Sequence, residues 1–159
     1  MFKKLLTTRS LCVSAVIAAL YAALTLLLAP ISFGPLQLRL SEAMTLLPMV
    51  LPQAIPGLFV GCLIANLYTG MLTDIIFGSL ATLIAAIGTY LLRKNPLLAG
   101  ACPVLANAII VGLVLSLSFS LPIPLTMLEV GLGELGAVLV GFVILSAMKR
   151  AKVDLTRLG

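Results

Sequence analysis

Apolar residues run along this chain in long blocks, not at amphipathic spacing, and polar residues collect in the gaps between them. Six blocks stand out, at 11–29, 40–51, 55–68, 72–92, 99–119 and 127–148. A helix that is apolar all round belongs in lipid or in a deep interior, and about 20 residues are needed to cross a bilayer. The expected fold is therefore an all-α integral membrane protein, a bundle of six transmembrane helices forming one domain over residues 1–159. The second and third blocks are short for a crossing. Tilting, a break, or fusion into one irregular span around Pro48, Pro52 and Pro56 would each accommodate them.

Charge placement decides how these blocks cross. Only seven charged residues lie between Leu11 and Met148: Arg39, Glu42, Asp74, Arg93, Lys94, Glu129 and Glu134. Lys3, Lys4 and Arg9 precede the first block, Arg93 and Lys94 fall between the fourth and fifth, and Lys149, Arg150, Lys152 and Arg157 follow the last. Cytoplasmic loops carry the excess of Lys and Arg. With six crossings and both termini cytoplasmic, all three clusters fall inside. A single crossing over residues 40–68 would instead put Arg93 and Lys94 outside. The first block is too long for a signal-peptide core and lacks a small-residue cleavage site, so it reads as a retained span.

Composition agrees. The chain is 62% hydrophobic and 9% charged, with a mean hydropathy of +1.26, far from an ordinary soluble domain. The net charge of +5 sits in flanking clusters and makes no stripe for nucleic acid. No histidine is present, which removes the commonest metal ligand and general base. Cys12, Cys62 and Cys102 have no pairing spacing and read as small packing residues. No metal site and no cofactor are expected. Gly131, Gly133 and Gly136 match G-x-G-x-x-G, but without a preceding strand they do not signal a dinucleotide site.

Charge within a span is costly, so what remains there is a candidate for function. In the six-span arrangement Arg39, Glu42, Asn66, Asp74, Glu129 and Glu134 all fall toward the outer side, with Asn107 near mid-depth. Arg39 and Glu42, three apart, share a helical face; an ion pair at the helix start and a ligand contact both fit them. Asp74 opens a helix, where a carboxylate offsets the dipole or meets a ligand. Asn66 and Asn107 fit either interhelical hydrogen bonds or ligand contacts. Glu129 and Glu134 differ by five positions, about 140° around a helix, and Glu134 is the deeper. One arginine against four carboxyl groups makes an acidic cavity, suited to a cation with several N–H donors. The Pro/Gly-rich segment from Pro30 to Gln37 is long enough to cap it as a lid. The candidate binding set is Gln37, Arg39, Glu42, Asn66, Asp74, Asn107, Glu129 and Glu134; none is expected to be catalytic.

Small residues recur at helical spacing: Ala15, Ala19 and Ala23 with Ala18 and Ala22 beside them; Gly57, Gly61 and Ala65; and Gly133, Ala137 and Gly141. Such stripes let helix backbones approach closely in lipid. Packing within the bundle accounts for most of them, and the first-helix stripe is the best candidate for docking another subunit.

Four segments carry a family resemblance. They are PISFGPLQLRLSEA from Pro30 to Ala43, AIPGLFVGCLIAN from Ala54 to Asn66, DIIFGSLATL from Asp74 to Leu83, and VGLGE from Val130 to Glu134. Together they resemble the QueT family of queuosine-precursor transporters. The resemblance implies a substrate-binding S component of an energy-coupling factor (ECF) transporter. Such a component has six helices, an outward-facing site and no ATPase of its own. Its implied partners are a transmembrane T component, docking on Ala15, Ala19 and Ala23, and two ABC-type ATPase subunits. The implied ligand is a 7-deazaguanine such as queuine or preQ1, taken up through the cell membrane, with Glu134 or Glu42 on the base edge and Asp74 or Glu129 on the ammonium arm. Another vitamin such as cobalamin is the alternative on the same scaffold. An ion-coupled secondary transporter is the rival class, though no internal repeat supports it. An intramembrane enzyme lacks the acid–base or metal equipment it needs, and a purely structural subunit has no use for a one-sided polar set.

Overall fold

A computed structural model describes residues 7–32 and 39–152, and every regular element among them is helical. The helices are α1 (Thr8–Leu27), a single turn α2 (Ala29–Ser32), α3 (Leu40–Met49), α4 (Ala54–Leu67), α5 (Asp74–Leu91), α6 (Pro96–Phe119) and α7 (Ile123–Arg150). Four of them, α1, α5, α6 and α7, are long and apolar enough to cross a membrane. The chain is a multi-pass membrane protein.

The short blocks behave differently from the long ones. α3 is a 3-10 helix of 10 residues, about 20 Å long at 2.0 Å per residue, in a geometry that seldom persists beyond a turn. α4 has 14 residues and spans about 21 Å. Neither reaches the roughly 30 Å of a hydrocarbon core. Pro48 lies inside α3 and supplies no N–H, while Thr45 Oγ1 donates to the Glu42 carbonyl at 2.5 Å. Both features compete with regular i→i+4 bonding.

Glycine lets the backbones close up. A Cβ on Gly57 would stand 2.6 Å from the Ser14 carbonyl oxygen, and one on Gly61 would stand 2.7 Å from that of Ala18, so α4 lies directly against α1. Gly141 of α7 meets the Ala43 carbonyl of α3 in the same way. These stripes are used inside the bundle. On α1, Ala18 and Ala22 are buried, whereas Ala15, Ala19 and Ala23 are exposed on the face beside them. The G-x-G-x-x-G run lies wholly within α7.

Apolar side chains fill the space between helices. Ile17, Tyr21, Leu58 and Cys62 form the core between α1 and α4, and Leu46 packs with Val138 and Leu145 between α3 and α7. α6 runs beside both α5 and α7. Pro103 sits inside α6 and lacks the N–H that would bond the Ala99 carbonyl. Thr89 Oγ1 of α5 donates to that oxygen instead, at 3.1 Å. A freed carbonyl is thereby satisfied without water, as a membrane interior requires.

Candidate functional site

Burial draws attention to one region. Arg39, Glu42, Asn66, Asp74, Asn107 and Glu134 are each no more than 5% exposed, and they come from α4, α5, α6, α7 and the start of α3. The residue before α3, Arg39, reaches across to α5. Its Nη2 donates to Asp74 Oδ2 at 3.2 Å, in an ion pair buried on both sides. The sequence allowed a pairing of Arg39 with Glu42; the partner is Asp74, 35 residues away.

Asp74 occupies an unusual turn. Asp74–Gly78 forms a π-helical opening to α5, and Asn66 Nδ2 donates to the Asp74 carbonyl at 3.0 Å. That bond occupies an acceptor of the helical ladder, and such widened turns are frequent at functional sites. Gly78 completes the arrangement. A Cβ there would meet Asp74 Oδ1 at 2.7 Å and Asn66 Nδ2 at 2.9 Å. Only glycine lets both polar groups close over this turn.

Glu42 is held from two helices. The Tyr21 hydroxyl of α1 donates a short hydrogen bond to Glu42 Oε1, and Thr82 Oγ1 of α5 lies 3.3 Å from the same oxygen. Asn107 of α6 sits against both Glu42 and Glu134. Cys62, expected as inert packing, has its sulfur 3.3 Å from Thr82 Oγ1 and 3.4 Å from Asn66 Nδ2. It is a free thiol within the polar cluster.

Within this cluster four buried oxygens have no hydrogen-bond partner: Glu42 Oε2, Asn66 Oδ1, Asp74 Oδ1 and Glu134 Oε1. All four are acceptors. Leaving such groups unbonded costs roughly 1–3 kcal/mol each, more when charged, so their concentration in one place marks a site able to take donors. Among the described residues the cluster holds one guanidinium, already paired, against three carboxyl groups.

Glu134 lies further along its helix than the sequence reading has it. Glu134 stands eleven positions after Ile123, where α7 begins, about 16 Å along the helix at 1.5 Å per residue. Asn107 stands eleven positions after Pro96. Glu134 and Asn107 thus lie well inside their helices, whereas Asn66 is next to last in α4 and Asp74 opens α5. α7 starts earlier than the 127 expected because Pro124 in its first turn suits a helix entrance. Glu129 is half-buried and joins none of these contacts. Gln37 and most of the expected lid fall outside the described residues; Pro30 to Ser32 lie in α2.

Sequence reasoning missed Tyr21, Thr82 and Ser79, whose Oγ lies 3.5 Å from Asn66 Nδ2. A signal was present. Ser14, Tyr21 and Thr25 recur at helical spacing within an otherwise apolar span, and Asp74, Gly78 and Thr82 follow one another at four-residue steps. A groove of about 490 Å³ between α1, α3 and α7 is lined by apolar residues such as Val16, Leu47 and Ile144 and contains none of the polar cluster.

Comparison with known proteins places the chain in a family. A stretch of 72 residues is 38% identical to the queuosine precursor transporter QueT of Lactococcus lactis subsp. cremoris (strain MG1363), covering 44% of this chain and 43% of that one. The aligned region thus spans less than half the length of the curated relative. No solved structure matches. The family model described as QueT transporter matches residues 11–150, which takes in every helix that contributes to the buried cluster, and the chain belongs to the QueT transporter family.

Proposed function

We propose that the chain is the substrate-binding S component of an ECF-type importer, capturing a queuosine precursor of the 7-deazaguanine class from outside the cell. The observation that carries this reading is the set of four buried, unbonded acceptors on Glu42, Asn66, Asp74 and Glu134. A deazaguanine presents a planar amidine-like edge with parallel N–H donors, and queuine and preQ1 add an amine-bearing arm. A carboxylate accepting two parallel N–H bonds gives strong, oriented recognition. Glu42 or Glu134 would take the base edge, and a second carboxyl group, with Asp74 the best placed, would face the ammonium. The 38%-identical relative carries the name of a queuosine precursor transporter, which supports the same ligand class.

On this reading six segments cross, α3 and α4 as a short pair, with both termini cytoplasmic. Transport is driven by partner subunits, a transmembrane T component and two ABC-type ATPases. The exposed Ala15, Ala19 and Ala23 face of α1 offers a flat surface on which a partner helix can pack closely. The test is uptake of labelled preQ1 by cells expressing the chain with and without those partners. Uptake that requires the ATPases is the expected result. Uptake that persists without them and collapses with an ionophore would identify an ion-coupled carrier instead.

A further inference from the structure

Glu42 is bonded on one oxygen only. Oε1 receives the Tyr21 hydroxyl and faces Thr82 Oγ1 at 3.3 Å, while Oε2 is buried without a partner. Tyr21 is itself fully buried. Its Cβ lies where a side chain on Gly61 would come within 2.8 Å, so the absence of that side chain is what seats the ring. Its backbone is pinned as well: Thr25 Oγ1 donates to the Tyr21 carbonyl at 2.9 Å and lies 2.6 Å from Ser41 Oγ, next to Glu42 in α3. A phenol with its ring packed and its backbone tethered is a rigid donor. Without it, the carboxylate would be free to turn either oxygen toward the cluster.

We propose that Tyr21 is the positioning residue of the binding site: it holds Oε1 of Glu42 so that Oε2 alone faces the ligand. This rests on the deazaguanine reading above. The role is specific to a hydroxyl acting through one carboxylate, and it differs from simple packing of an aromatic ring.

A double-mutant cycle separates the two. Tyr21→Phe keeps the ring and removes the donor; Glu42→Gln removes the charged acceptor. Affinity for preQ1 is measured by calorimetry on the four proteins. Tyr21→Phe is expected to weaken binding about tenfold in the unsubstituted chain and about twofold or less on the Glu42→Gln background, a coupling of the size contacting residues show. Equal losses on both backgrounds overturn the assignment. Where Tyr21→Phe does not fold, Thr82→Val removes a second donor to the same oxygen and closes the same cycle.

A ligand-free readout keeps the contact testable by itself. The chain has no tryptophan and three tyrosines, so Tyr68→Phe with Tyr90→Phe leaves Tyr21 as the only tyrosine, excited at wavelengths where phenylalanine does not absorb. A phenol hydrogen-bonded to a carboxylate emits weakly, and Glu42→Gln is expected to brighten it. Unchanged emission overturns the Tyr21–Glu42 contact. If the unsubstituted chain binds no deazaguanine, the substrate reading fails and the ligand-positioning role falls with it. The emission then still decides whether Tyr21 holds Glu42.

Discussion

Replacing Asp74 with Asn removes one charge from a buried ion pair while nearly preserving shape. Arg39 Nη2 and Asp74 Oδ2 are 3.2 Å apart and both side chains are almost inaccessible. At an effective dielectric of about 20, two unit charges at that separation attract by roughly 5 kcal/mol. The asparagine oxygen still accepts a hydrogen bond, returning roughly 1–2 kcal/mol, so the loss is about 3–4 kcal/mol, within the range for removing one partner of a buried pair. Glu42 does not substitute, because Tyr21 and Thr82 hold its Oε1. For a chain of this size each kcal/mol moves the melting temperature by about 2–4 °C, so Asp74→Asn is expected to melt roughly 10 °C below the parent. The assay is thermal unfolding in detergent micelles, run beside Arg39→Met and the Arg39→Met/Asp74→Leu double variant. The double variant should be more stable than either single one, since it leaves no uncompensated charge. An Asp74→Asn melting point within about 2 °C of the parent, or a double variant no better than the worse single, would refute the reasoning.

Three further outcomes follow from the same geometry. Glu134→Gln should weaken deazaguanine binding by roughly 10- to 100-fold, the worth of a charged hydrogen bond, whereas Glu129→Gln, half-buried and outside the cluster, should leave calorimetric affinity unchanged. Gly78→Ala should cost affinity as well as stability, because its methyl would displace Asp74 Oδ1 and Asn66 Nδ2; an affinity equal to the parent's would show that this turn does not shape the site. The six-crossing arrangement predicts that, in intact cells, a membrane-impermeant thiol reagent labels Gly70→Cys between α4 and α5 but not Asn95→Cys between α5 and α6. The reverse pattern would remove one crossing.

The long helices were legible because each is an apolar run bounded by charge or by proline, and a bilayer leaves the backbone of such a run little alternative. Of the three entrances missed by three or four residues, at Thr8, Pro96 and Ile123, the last two were marked by prolines in their first turns. Hydropathy passes over such prolines and helix chemistry does not. The error mattered, since it placed Glu134 a turn too close to the start of its helix. The regularity of α3 was left open, because ten residues with one proline do not separate a 3-10 from an α period. The identities of the buried polar residues were legible from their cost in lipid. Their partners were not: Arg39 finds Asp74 through the packing of α3 against α5, and no local spacing encodes a contact across 35 residues. Tyr21, Cys62 and Thr82 were passed over for a related reason. Their hydroxyl and thiol groups count as near-apolar on a hydropathy scale, yet in a dry interior they are the groups that hold carboxylates in place.

The central claim is that the buried acceptors of Glu42, Asn66, Asp74 and Glu134 receive a donor-rich cationic heterocycle without help from any partner. The measurement that tests it most directly is calorimetric titration of the purified chain alone with preQ1, queuine and cobalamin, repeated on Glu42→Gln and Glu134→Gln. The account predicts saturable binding of a deazaguanine to the parent, weakened in both variants while their melting points show folded protein. Binding of cobalamin in place of a deazaguanine, or deazaguanine binding that both substitutions leave untouched, would contradict it.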